Sequence, residues 1–138
     1  MPLWTKEQAV PGPPAFVDSH AHLDDPRLAA AGACVLERAR AAGVTTILSV
    51  GADMPSSRAA CALTVHHPMV YASVGVHPHE ASSVREDTWQ ELGELARQPK
   101  VVAVGECGLD YFRNLSPRDV QRQIFARHLT LAQFADMP

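Results

Sequence analysis

From Ala15 onward short apolar runs alternate with longer amphipathic ones, and this alternation constrains the fold more than any other feature of the chain. Strand-length runs at 15–19, 44–50, 70–76 and 101–104 are separated by segments whose apolar residues recur at helical spacing. This is the order of βαβ units, in which a crossover helix returns the chain to lay the next strand parallel to the last. Val101-Val102-Ala103-Val104 has no polar alternation at all, as expected of a parallel strand covered on both faces.

The intervening segments predict four helices. The first buries Leu28, Val35, Leu36 and Ala39 and ends near Gly43. The second starts around Asp53 to Pro55, where an acid cap and an early proline are favoured, and runs to about His66. The third carries Trp89, Leu92, Leu95 and Ala96 and is stopped by Pro99. The last begins at Ser116-Pro117-Arg118-Asp119, with Ser116 as N-cap, and turns Val120, Ile124, Leu131 and Ala132 inward. His66 and His67 fall at a helix end and His128 on the presumed outer layer, so none receives a catalytic role. Four βα units suit either a doubly wound sheet or half of an eight-stranded barrel, and periodicity does not separate the two.

Residues 1–14, with Pro11-Gly12-Pro13-Pro14, read as a proline-rich leader, and residues 15–138 as one α/β domain large enough to bury a core. No apolar run approaches the ~18 to 20 residues needed to cross a bilayer, and the start lacks the basic-then-apolar order of a secretory signal. A cytoplasmic protein with no membrane partner is expected. Cys34, Cys61 and Cys107 are odd in number and without a CxxC pair, so they read as small buried residues. A net charge of −3 rules out a broad basic surface, so a nucleic-acid ligand would have to be held by bound metal and a few local arginines.

In both candidate architectures chemistry gathers where strands end, and the polar residues there are distinctive. Strand one ends in Asp18-Ser19-His20-Ala21-His22. Alternation along a strand puts Asp18, His20 and His22 on one side, where two imidazoles can share a divalent metal and Asp18 can orient a ring. Strand three closes with His77-Pro78-His79, and the proline holds His77 extended at a rigid corner. Strand four closes with Gly105-Glu106-Cys107-Gly108-Leu109-Asp110-Tyr111. A glutamate directly after so apolar a strand requires solvent, a partner or a cation. Gly108 permits a turn that carries Asp110 over the strand ends, and Arg113 follows within reach of a phosphate.

Taken in order, FVDSHAHLDD, VGVHPHE and VGECGLDYFR resemble the TatD family of metal-dependent deoxyribonucleases, relatives of the amidohydrolase barrels, and the pattern from Gln121 to Gln133 is similar to that family too. The resemblance runs from about Phe16 to the end and implies a partial TIM-type (β/α) barrel, about four βα units of the usual eight. It implies a site for two divalent ions, with His20 and His22 on the first metal and Glu106 bridging both as the catalytic carboxylate. Asp18, His77, His79, Asp110 and Arg113 are assigned to substrate contact or to supporting the ligands. Mixed histidine and carboxylate donors suit zinc or manganese, while magnesium prefers more oxygen. The implied activity is phosphodiester hydrolysis on DNA, trimming single strands from the 3′ end.

Barrels of this type need about 250 residues, and this sequence reaches Pro138 where strand five would begin. The resemblance places two further histidines and an aspartate on later strands, so this chain is expected to carry the amino-terminal half of the site. Half a barrel would leave strand edges that invite self-association. Two other readings stay open: a hydrolase of a small ester, lactone or amide, because HxH on strand one is shared across the wider amidohydrolase group, and a fragment confined to metal binding or assembly.

Overall fold

The structure, a computed structural model, describes residues 15–138, without the side chain of Ala29, and the proline-rich leader lies outside the described residues. Four strands, β1 (Phe16–Ala21), β2 (Val44–Val50), β3 (Val70–Val74) and β4 (Val101–Val104), form one parallel sheet in the order β1-β2-β3-β4. Each strand neighbours the next in sequence, with none of the order reversal that defines a doubly wound sheet, so the topology is that of successive staves of a (β/α) barrel.

The expected first helix is split into α1 (Pro26–Ala29) and α2 (Ala33–Ala41). Asp25 caps α1 by accepting the Arg27 amide, and Gly32 then breaks the helix at φ 53°, a backbone state that suits glycine. Only Leu36 of α2 is buried, and Cys34 is therefore exposed rather than buried, while Cys61 is buried and Cys107 half-buried. Helix α3 (Met54–His66) starts at a reciprocal cap in which Asp53 accepts the Ser56 amide and Ser56 Oγ accepts the Asp53 amide. Helix α4 (Glu86–Ala96) follows a 3-10 turn at Pro78–Ser83, and α5 (Arg118–Ala135) ends the chain.

Helices and sheet enclose two apolar clusters. Ala72, Val74, Leu92 and Val101 centre the larger one between β3, β4, α3 and α4, and Leu36, Ile47, Met69 and Val70 form the smaller under α2. The larger holds Ala60, Ala72, Val74 and Leu92 with no solvent exposure, where the smaller holds Val70. Among the described residues no helix is long and apolar enough to cross a membrane.

Two expectations about α5 are corrected. Ser116 does not cap it: Pro117 is the N-cap, and the Ser116 hydroxyl donates to the His79 carbonyl while accepting the Ser82 amide, joining two loops. His128 is not on an outer layer but is 1% exposed, on a stripe with Gln121, Ile124, Leu131 and Ala135. Val120, Ile124, Leu131 and Ala132 are partly buried, so the fully buried side chains of this helix are the polar pair Gln121 and His128.

Candidate metal centre

The carboxyl ends of the strands are pulled together by main-chain bonds. The Gly105 amide donates to Val74, the Glu106 amide to the Gly51 carbonyl and the His77 amide to Ala52. Gly75 makes the first of these approaches possible, because a Cβ there would lie 2.8 Å from the Gly105 backbone. Glu106 is thereby carried past β3 toward the end of β2, facing the histidines of β1. The β1–β2 pairing shifts register between Asp18 and Ala21, a bulge of the kind that re-aims side chains beside functional sites.

His20 and His22 meet there with their Nε2 atoms 3.3 Å apart, and Glu106 Oε2 lies 3.6 Å from the first and 3.8 Å from the second. Ligand atoms of all three side chains fall within 4.8 Å of one another. The His22 Nδ1–H donates to the Val50 carbonyl, which leaves Nε2 of the neutral ring as a lone pair aimed into the cluster. An imidazole tied through its other nitrogen to a carbonyl is the usual arrangement of a metal-binding histidine. Two ring nitrogens and a carboxylate oxygen converging in this way form an electron-rich pocket that a divalent cation fits.

His77 extends the cluster on its far side, with Nε2 3.7 Å from Glu106 Oε1. Its Nδ1 accepts the His79 amide, so the neutral ring carries its proton on Nε2, facing the carboxylate. Burial lowers the His77 pKa, with the Glu106 charge opposing. The His79 ring packs edge-on against His77, centroids 4.2 Å apart, and pairs through Nε2 with Asp110 Oδ2 at 2.5 Å. Asp110 accepts the Arg113 and Phe112 amides on its other oxygen, and these bonds and His79 hold its carboxyl below the usual range. Burial, reinforced by Glu106, pushes the neighbouring Cys107 thiol up, which keeps it protonated.

The structure thus brings His20, His22 and Glu106 together, adds His77 to their rim, and sets His79 with Asp110 as a pair behind it. Asp18 is exposed and accepts the His20 backbone amide rather than a ring proton. Arg113 is exposed on the loop after β4. Sequence reasoning missed two residues that shape this region. His128 Nε2 accepts the Val76 amide immediately before His77, and its Nδ1–H donates to the Ile124 carbonyl. Gln121 receives the Asp110 amide on Oε1 and donates from Nε2 to the Asp110 and Ser116 carbonyls. Their seven-residue separation, in phase with Ile124 and Leu131, was the available signal.

Over residues 17–138 the sequence matches the family of TatD related DNases. The chain belongs to that family. A protein of Enterobacter lignolyticus named 3′-5′ ssDNA/RNA exonuclease TatD is 39% identical over 121 residues, which cover 88% of this chain and 46% of that one. An uncharacterized metal-dependent hydrolase, YabD of Bacillus subtilis, is 36% identical over 121 residues, covering 88% of this chain and 48% of its own. Among solved structures, the TatD homologue YJJV of Escherichia coli superposes with a TM-score of 0.83 at 31% identity, over 89% of this chain and 48% of that chain. The chain spans between 40% and 48% of the length of the curated TatD relatives it matches. Their likeness extends the parallel sheet to a partial TIM-type barrel, and membership of a metal-dependent hydrolase family implies a divalent metal.

Proposed function

We propose that residues 15–138 are the amino-terminal half of a TatD-type barrel that hydrolyses DNA phosphodiester bonds, acting from the 3′ end of single strands. The observation that carries this reading is the convergence of His20 Nε2, His22 Nε2 and Glu106 Oε2 at the strand ends. The relatives named as 3′-5′ exonucleases support the substrate class.

In this reading His20, His22 and Glu106 would hold a first divalent ion, and Glu106 would also serve as ligand to a second. Zinc, manganese or magnesium would each serve. When bound, such ions lower the pKa of a water and stabilise the leaving oxygen of a phosphodiester. The chain's own residues orient and exclude: His22 is fixed by Val50, His77 presents an N–H at the rim, the Asp110–His79 pair backs it, and Arg113 meets a phosphate of the strand.

Calorimetric titration with zinc and with manganese tests the metal assignment. Weak binding, lost in His20→Ala, is expected, because three protein ligands form only part of a two-ion site. Binding that survives His20→Ala together with His22→Ala overturns the assignment. For the reaction, nucleotide release from single-stranded DNA is expected from the chain joined to a family-like second half and abolished by Glu106→Gln. The 138-residue chain by itself is expected to release little.

A further inference from the structure

The loop between β4 and α5 presents an aromatic ring that the fold leaves uncovered. Phe112 is 96% exposed, although burying a phenylalanine stabilises a protein by about 1.5–3 kcal/mol. The loop beneath it is nevertheless tightly held. Asp110 Oδ1 accepts the amides of Phe112 at 3.0 Å and Arg113 at 2.9 Å, and the Asp110 carbonyl accepts the Asn114 amide at 3.2 Å. Gln121, 1% exposed, grips the Asp110 backbone from below through both its amide and carbonyl. The ring is therefore offered to solvent from a braced position.

Charge and position indicate what it meets. Arg113 follows it directly, and the guanidinium of Arg118, the first residue of α5, lies 4.8 Å from the centre of the partly exposed Tyr111 ring, so an arginine stands beside each aromatic. That pattern suits a single-stranded nucleic acid, whose bases stack on aromatic faces while its phosphates meet cations. Asp110 joins this loop to the cation cluster: one oxygen holds the Phe112 amide, the other holds His79, and His79 packs on the His77 that faces Glu106. A strand with a phosphate at the cluster would reach the platform along this line of contacts.

We propose that Phe112 is a base-stacking platform for single-stranded nucleic acid, with Arg113 on the adjoining phosphate. This rests on the nuclease reading above and adds the surface that binds the substrate's bases.

The test is fluorescence anisotropy with a labelled oligothymidylate, made resistant by phosphorothioate linkages, in magnesium. Phe112→Ala is expected to weaken binding roughly ten-fold and Phe112→Trp to restore it. Because the ring is exposed, neither variant should alter the melting temperature. An abasic position scanned along the oligonucleotide should weaken wild-type binding at one site and leave Phe112→Ala unaffected there. Equal binding by wild type and Phe112→Ala overturns the platform while leaving the nuclease reading intact. Absence of oligonucleotide binding by the wild type, both alone and joined to a family-like second half, overturns both. A change in oligomeric state in Phe112→Ala, with affinity unchanged, identifies the ring as a protein contact and overturns the platform as well.

Discussion

His20 stands on β1, whose residues 16–20 are all exposed, and His22 just past its end, whereas His77 and Glu106 follow strands covered by α3, α4 and α5. The side chains record the contrast: His20 is 52% exposed and His22 42%, against 25% for His77 and 30% for Glu106. On the covered side every approach to the site is secured by a buried group. Gly75 lets β3 and β4 close, His128 takes the Val76 amide, and Gln121 takes the Asp110 backbone. On the β1 side the His20 amide rests on an exposed carboxylate and the His22 ring on one carbonyl. Within residues 15–138 one half of the cluster is braced by folding, while the other stands on the edge strand β1, where the rest of a barrel or a ligand would have to order it, since fixing a side chain costs entropy that burial has not already met.

If this contrast is right, the largest loss of stability comes from the covered side. Gly75→Ala would set a Cβ 2.8 Å from the Gly105 backbone, which cannot swing aside as a flexible side chain would. A loss of about 3 kcal/mol in urea denaturation is expected, the upper part of the usual cost of overpacking. A loss under about 1 kcal/mol would mean that the strand ends separate easily and that the covered side is not the rigid one.

His128→Leu comes next. It keeps the volume roughly constant but strands the buried Val76 amide, which costs about 1–3 kcal/mol. His128→Gln retains an acceptor and should recover most of the loss. The same residue gives the covered side a pH signature. Burial lowers the His128 pKa from its ordinary 6.5, and the groups against it, the Trp89 ring, the Val76 amide and the Ile124 carbonyl, do not ionise. The unfolded chain then binds a proton that the native one refuses, so stability is full above 6.5 and declines as pH falls below it. Urea midpoints between pH 7.5 and 5.5 should fall more steeply for the wild type than for His128→Gln. Parallel slopes would show that His128 titrates freely and is not sealed.

The same division separates what was legible in the sequence from what was not. Val44–Val50 and Val101–Val104 are strands over the expected residues because each is a continuous β-branched or apolar run bounded by turn signals. His20, His22 and Glu106 were locatable because they are polar residues closing such runs. The helix after β1 was misread as continuous, since its apolar spacing spans the break and only the geometry of Gly32 reveals it. Gln121 and His128 stayed hidden for another reason. Amphipathic reading assumes an apolar inner face, and their partners are main-chain groups, one of them 52 residues away, which carry no sequence signal.

The smallest expected effect on stability is on the exposed side, and it sharpens the comparison most. His20→Ala removes a half-exposed ring whose neighbours are His22 and Glu106, so in metal-free buffer its stability should stay within about 0.5 kcal/mol of the wild type. Zinc should separate them. A ligand that binds only the folded state stabilises it by mass action, about 1.4 kcal/mol when free zinc is ten times its dissociation constant. The wild type should therefore melt at a higher temperature with zinc, and His20→Ala should not respond. The shift should also carry a local component, with amide exchange slowing along β1 and changing little along β3 and β4, because β1 is the strand whose residues stand exposed. Zinc protection spread evenly over all four strands would show that both halves of the cluster are equally rigid before metal arrives, and the asymmetry seen in burial would then have no energetic counterpart.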